Sequence, residues 1–222
     1  MVRLRTLSRC RNFVRTPVTM EMSTEPIWST PRKLTQERFV NLFSTHNVRA
    51  EGSSSWVFAS RKERPGASAV QADAVSIVAI LQQSGEPRLV MTREFRAPLR
   101  AYELSLPSGL IDPGESPVET AVREFKEETG LTLGRVSHVS PPTASSAGLT
   151  DETVAFVFGE ASGSISRAHQ TEHENIEVRL VSVADIRKLF GSPHGDIISS
   201  RLYPILLGYV TSGVIRLPAL PE

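Results

Sequence analysis

Apolar and polar positions follow one another along this chain with two periods. Short runs rich in apolar and β-branched residues, bounded by Gly, Pro, Asn or Asp, predict strands over residues 74–81, 88–94, 102–106, 134–140, 153–158 and 176–181. Apolar residues three and four apart predict helices over residues 183–190 and 197–211. Ahead of these, residues 39–58 offer two further strands around Glu51-Gly52-Ser53, and a stretch rich in Arg, Pro and Gly at 62–67 sets that segment apart. Strands outnumber helices and the helices are dispersed. The expected class is therefore α+β, with a mixed sheet sandwiched between helices and a small β segment in front. The chain divides into a disordered or targeting tail (1–32), an N-terminal β segment (33–68) and the main domain (69–222). No internal repeat is present.

One further helix is marked by its ends as well as its period. Residues 109–131 read GLIDPGESPVETAVREFKEETGL. Ser116 is placed to cap, Pro117 suits the first helical position, and Glu119 completes the spacing of a capping box. Gly130 supplies the left-handed stop. Between them Val118, Ala121, Val122 and Phe125 have the spacing of a buried stripe, so Glu124, Glu127 and Glu128 project from another face as an acidic ridge. Like charges at these spacings cost about 0.2–0.5 kcal/mol per pair. Arg123 stands four residues from both Glu119 and Glu127, whereas Glu124 and Glu128 have no basic neighbour at helical spacing. Clustered hard oxygens of this kind suit Mg²⁺ or Mn²⁺, and a solvated acidic face is the other reading. The loop in front favours the metal: Asp112-Pro113-Gly114 is a turn signal, and Gly109 lets the backbone approach a ligand or ion where a Cβ would obstruct it.

These residues resemble the Nudix box, written as Gly, five residues, Glu, seven residues, Arg-Glu-apolar-x-Glu-Glu-x-Gly-apolar. Gly109, Glu115, Arg123, Glu124, Phe125, Glu127, Glu128, Gly130 and Leu131 meet every fixed position. The resemblance implies the Nudix fold, an α/β/α sandwich, and hydrolysis of a nucleoside diphosphate linked to another moiety. It implies divalent metal held by Glu124 and Glu128 with Glu127 beside them, and a further ligand from the Ser108 carbonyl. Arg123 and Glu115 would then be structural, orienting the acids and closing the loop. Residues 92–109, TREFRAPLRAYELSLPSG, the segment GLTDE at 148–152 and EHENIEV at 172–178 resemble ADP-ribose and ADP-sugar pyrophosphatases. By that likeness Glu174, and after it Glu172, would activate the attacking water, the other reading being exposed loop acids. Arg96 would grip a phosphate, the other reading being a surface arginine, and the N-terminal strands would pair two subunits into a homodimer. Where that group carries a proline sixteen residues beyond the box, this chain has Ala147. The implied substrate is a nucleoside diphosphate sugar, ADP-ribose first, with UDP- or GDP-sugars as the alternative. A catalytically silent nucleotide sensor is the alternative of another class, and the presence of all four box glutamates speaks against it.

Composition narrows the setting. The 222 residues, 40% hydrophobic and 22% charged, contain no apolar run long enough for a membrane helix, and Cys10 is the only cysteine. A reducing, cytoplasmic location without membrane attachment follows as an expectation. The net charge of +1 conceals five arginines, Arg3, Arg5, Arg9, Arg11 and Arg15, in an acid-free start, which leaves the remainder at about −4 and unsuited to nucleic acid. That start resembles a mitochondrial transit peptide, and an unstructured basic extension is the alternative. His169 and His173 are four apart but lack a third ligand of suitable spacing, and His46, His138 and His194 are read as surface or packing residues.

Overall fold

The computed structural model describes residues 28–48, 54–66, 71–168, 170, 175–191 and 195–218. Strands β1 (Arg32–Lys33), β2 (Asn41–His46) and β3 (Ser55–Ser60) form an antiparallel three-stranded sheet. Its buried apolar residue is Phe43, stacked on Phe58 at 5.9 Å, while Leu42, Trp56 and Val57 are exposed. The tail expected at 1–32 falls mostly outside the described residues; Trp28 bridges to Asn47, and the Ser29 N–H donates to the His46 carbonyl at 2.9 Å.

The main unit contains β4 (Ala74–Gln83), β5 (Glu86–Arg96), β6 (Ala101–Ser105), β7 (Ser108–Leu110), α1 (Pro117–Thr129), β8 (Thr132–Val139), β9 (Thr143–Ala144) and β10 (Thr153–Ser162). It closes with β11 (Glu177–Val181), α2 (Val183–Gly191), β12 (Ile197–Ile198) and α3 (Tyr203–Ser212). Nine strands form one sheet in the order β12-β6-β5-β4-β10-β8, with β7 beside β4, β11 beside β5 and β9 beside β10. β10 runs parallel to β4 and β12 parallel to β6; the other pairings are antiparallel. β4 and β5 pair only near their turn, from Ile80↔Leu89 to Gln83↔Glu86. Beyond it they part, and the gap is taken by β7 against Ala74–Ser76 and by β11 against Leu89–Arg93. The acidic helix leaves from this split.

The first eight residues of β4 are all buried, so the strand reads as a continuous apolar run covered on both faces. Val75, Ile77, Ala79 and Leu81 pack with Ala121 and Phe125 of α1, while Val78 and Ile80 pack with Ile186, Leu202 and Leu206 on the α2/α3 side. Two helical layers therefore sandwich the sheet, which is the expected α+β architecture. No helix among the described residues is long and apolar enough to cross a membrane.

Two expectations are corrected. The helix read over 197–211 begins at Tyr203, because Ile197 and Ile198 pair with Glu103 and Leu104. The Ser199 carbonyl then accepts the N–H groups of Leu202 and Tyr203, and Pro204 sits in the first turn, where its missing donor costs nothing. On α1, Val118 and Val122 are exposed, at 36% and 41%, and the buried face is Thr120, Ala121, Phe125 and Thr129. Two threonines can be buried there because their hydroxyls are satisfied, Thr120 donating to Glu115 and Thr129 to the Phe125 carbonyl.

Candidate active site

The acidic helix is fixed at both ends by local chemistry. The Ser116 hydroxyl accepts the Glu119 N–H at 3.3 Å, and the Glu119 carboxylate accepts the Ser116 N–H at 2.8 Å, which holds its pKa below the ordinary value. At the other end Gly130 adopts φ 74° and donates to Lys126. A Cβ there would also lie 2.5 Å from the Ser166 nitrogen, so both conformation and space require glycine.

Inside these limits Arg123 organises the site. Its Nε and Nη2 clamp the two Glu115 oxygens at 2.9 and 2.8 Å, the bidentate geometry that suits guanidinium and carboxylate. Thr120 Oγ1 at 2.7 Å and the Asp112 N–H at 3.4 Å complete the environment of Glu115. Hydrogen bonds from Arg123 first, then Thr120, pull the Glu115 pKa down to about 2. The same guanidinium donates from Nη1 to Glu124 at 2.8 Å and to Glu127 at 3.4 Å, and its own pKa is raised, chiefly by Glu115. Spacing alone pairs Arg123 with Glu119 and leaves Glu124 without a base. The structure corrects this: Glu119 is spent on the cap, and Arg123 reaches its sequence neighbour Glu124 and, across the loop, Glu115.

Strand β7 forms the opposite wall. A Cβ on Gly109 would stand 2.0 Å from Glu124 Cδ, so the Glu124 side chain lies directly over this glycine. The absence of a Cβ at Gly109 thus leaves room for the Glu124 carboxylate. The Ser108 N–H donates to Glu128 at 3.1 Å, and Ser108 Oγ turns away to the Leu106 carbonyl at 3.0 Å. Glu124 and Glu128 are thereby gathered against Gly109 and Ser108, with Glu127 beside them on the helix and paired with Arg123. No three acidic, histidine or cysteine side chains among the described residues close around one point to hold a metal ion. The donor set nonetheless suits a hard divalent cation, because its oxygens are anionic and one guanidinium serves Glu115, Glu124 and Glu127 together.

The other expected residues are placed less directly. Arg96, at the end of β5, donates to Glu103 at 2.9 Å and pairs with Glu94 at 2.8 Å. Glu172 and Glu174 lie outside the described residues, as do His169, His173 and His194. The flanks of that loop are tied to the ridge: Gln170 Nε2 donates to the Glu128 carbonyl at 2.8 Å and to the Ile176 carbonyl at 2.9 Å. Sequence reasoning missed Gln170, because both its partners are main-chain groups that leave no side-chain signal. Ala147 lines a cleft of about 330 Å³ with Trp56, Phe58, Ala144 and Thr150, between the small sheet and the 144–153 segment. The two units are joined there by the Ala59 N–H to the Leu149 carbonyl at 2.7 Å, by Lys62 to Asp73 at 3.0 Å and by Arg61 to Glu152.

The NUDIX domain family model matches residues 70–200. The chain is 34% identical over 116 residues to the ADP-ribose pyrophosphatase of Bacillus subtilis, covering 52% of this chain and 62% of that protein. It is 39% identical over 87 residues to the ADP-sugar pyrophosphatase of Mus musculus, 39% of each. The chain spans about half the length of the curated relatives it matches. A crystal structure of an ADP compounds hydrolase superposes with a TM-score of 0.58 at 18% identity, over 86% of this chain and 97% of that one, which establishes the shared fold.

Proposed function

This chain belongs to the Nudix family, and from that premise we propose that it hydrolyses the pyrophosphate bond of a nucleoside diphosphate sugar, ADP-ribose first, giving AMP and ribose 5-phosphate. The observation that carries the reading is the placing of Glu124 and Glu128 against β7, with Glu124 and Glu127 held by the Arg123 that clamps Glu115. The names of the Bacillus and mouse relatives support the substrate class.

Glu124 and Glu128, with Glu127 beside them and the Ser108 carbonyl across from them, would hold divalent metal, Mg²⁺ or Mn²⁺. When bound, such ions neutralise the pyrophosphate and lower the pKa of water. Arg123 and Glu115 keep the carboxylates aligned, and the Gly109 surface lets Glu124 lie close enough to share the site. Glu174 or Glu172, between Gln170 and Ile176 in the sequence, takes the proton from the attacking water. Arg96 grips a phosphate once it exchanges Glu94 or Glu103 for the substrate. Trp56 and Phe58 in the cleft beside Ala147 offer an aromatic surface for the base. The exposed Leu42 and Val57, on the face of the small sheet opposite Trp56, support pairing of two subunits through it.

The test is a panel of ADP-ribose, ADP-glucose, UDP-glucose and GDP-mannose, assayed with Mg²⁺ and with Mn²⁺ and followed by nucleoside monophosphate release. The expected result is metal-dependent AMP release, fastest from ADP-ribose. A UDP- or GDP-sugar preferred tenfold or more in kcat/KM would overturn the substrate, and metal-independent turnover would overturn the chemistry.

A further inference from the structure

On the face of the sheet away from α1 lies a second cavity, of about 650 Å³, within the range that small-molecule sites occupy. Its floor is Phe156 and Phe158 of β10, which point to the α2/α3 side, whereas Val157 between them points to α1. One wall is α3 with Ile205 and Tyr209; the lip is the returning chain after the left-handed Gly213, with Val214, Arg216 and Leu217. His138 leans on Phe158 at 5.7 Å.

Three features indicate what the bowl would accept. Its floor and walls are largely apolar and aromatic, which favours a flat apolar body. Among the described residues no acidic side chain lines it, and the Arg216 guanidinium at its lip has no ion pair or hydrogen bond with any of them; Glu160 shares only the adjoining cleft with it, out of ion-pair range. The middle of α3 carries Gly208, which lowers helix propensity, and a Cβ there would enter open space, so the glycine keeps the bowl deep. We propose that this cavity is a second binding site, for an organic anion with a flat apolar body, whose ring system lies on Phe156 and Phe158 and whose anionic group meets Arg216. The site is independent of the pyrophosphate chemistry and on the opposite face of the sheet from the glutamates.

The probe is anilinonaphthalene sulfonate, titrated by fluorescence into the folded full chain. Saturable one-to-one binding is expected, unaffected by excess AMP. Gly208→Leu should fill the bowl and weaken binding at least tenfold while leaving hydrolysis unchanged. Val214→Trp fills it from the exposed lip and gives the same answer should Gly208→Leu fail to fold. Arg216→Gln should weaken the sulfonate roughly five- to tenfold but leave binding of the neutral N-phenylnaphthylamine unchanged. The proposal is overturned by unchanged dye binding in the two filled variants or by displacement of the dye by AMP. It is equally overturned if a chain ending at Pro218 binds the dye and the full chain does not, since the chain's own end would then be the occupant.

Discussion

Replacing Gly109 by alanine tests how the site is assembled. The glycine is not among the positive-φ residues, so its backbone conformation is open to any residue and only the missing Cβ matters. The added atom would fall 2.0, 2.1 and 2.4 Å from Cδ, Oε1 and Cγ of Glu124. Ordinary contact between such atoms begins near 3.5 Å, so the carboxylate must retreat by about 1.5 Å. Glu124 is a flexible side chain, and the strand beneath it need not move. The stability cost should therefore sit at the low end of overpacking, about 1 kcal/mol, or a fall of about 2–4 °C in Tm for a chain of this size. The catalytic cost is larger, because displacement of a catalytic group by 1 Å or more costs about 10²-fold. Steady-state kinetics against metal concentration should show kcat down by about that factor and the apparent metal affinity weakened. In a Glu124→Gln background the same alanine should add little, since both changes act on one carboxylate. Wild-type kcat and metal dependence in Gly109→Ala, with a normal melt, would refute the placement of Glu124 over β7.

Gln170→Ala should lower kcat more than it lowers Tm, because its two bonds join the Glu128 and Ile176 carbonyls at either side of 171–174; loss of stability without loss of turnover would make Gln170 a packing residue only. Glu174→Gln and Glu172→Gln, measured separately, should differ, the larger fall in kcat with unchanged metal affinity marking the base. The clamp on Glu115 should appear in acid unfolding: its folded pKa, about 2, lies below the ordinary 4.5, so its stabilisation is complete above about pH 4.5 and lost as pH falls towards 2. Glu115→Gln should flatten stability across that window, and a slope equal to wild type would contradict the clamp. Ala147→Pro should stiffen the segment lining the Trp56 cleft and raise preference for ADP-ribose over UDP-sugars in kcat/KM.

What could be read from sequence was what is decided locally. The capping box of Ser116 and Glu119, the stop at Gly130 and the strand at β4 depend on neighbours within a few residues. The Glu115–Arg123 clamp was only partly legible, because Glu115 precedes the helix and meets Arg123 through the loop's path rather than through helical spacing. Val118 and Val122 have the apolar spacing of a buried stripe, yet hydrophobicity alone does not decide the face. Thr120 and Thr129, whose hydroxyls find partners at Glu115 and Phe125, take that face instead. The pairing of Ile197 with Glu103 joins distant segments and overrides an apolar pattern that also suits a helix. β1, β7, β9 and β12 are two or three residues long, too short to show a period.

The most direct measurement is kcat for Glu128→Gln beside its thermal melt. Glu128 joins the ridge to Ser108 on β7, and the substitution keeps its size while removing its charge. The predicted result is a loss of several powers of ten in kcat at a Tm equal to or above that of the wild type measured without metal, because charge repulsion along the ridge is relieved. Near-normal turnover by Glu128→Gln would contradict the assignment of the ridge as the metal site.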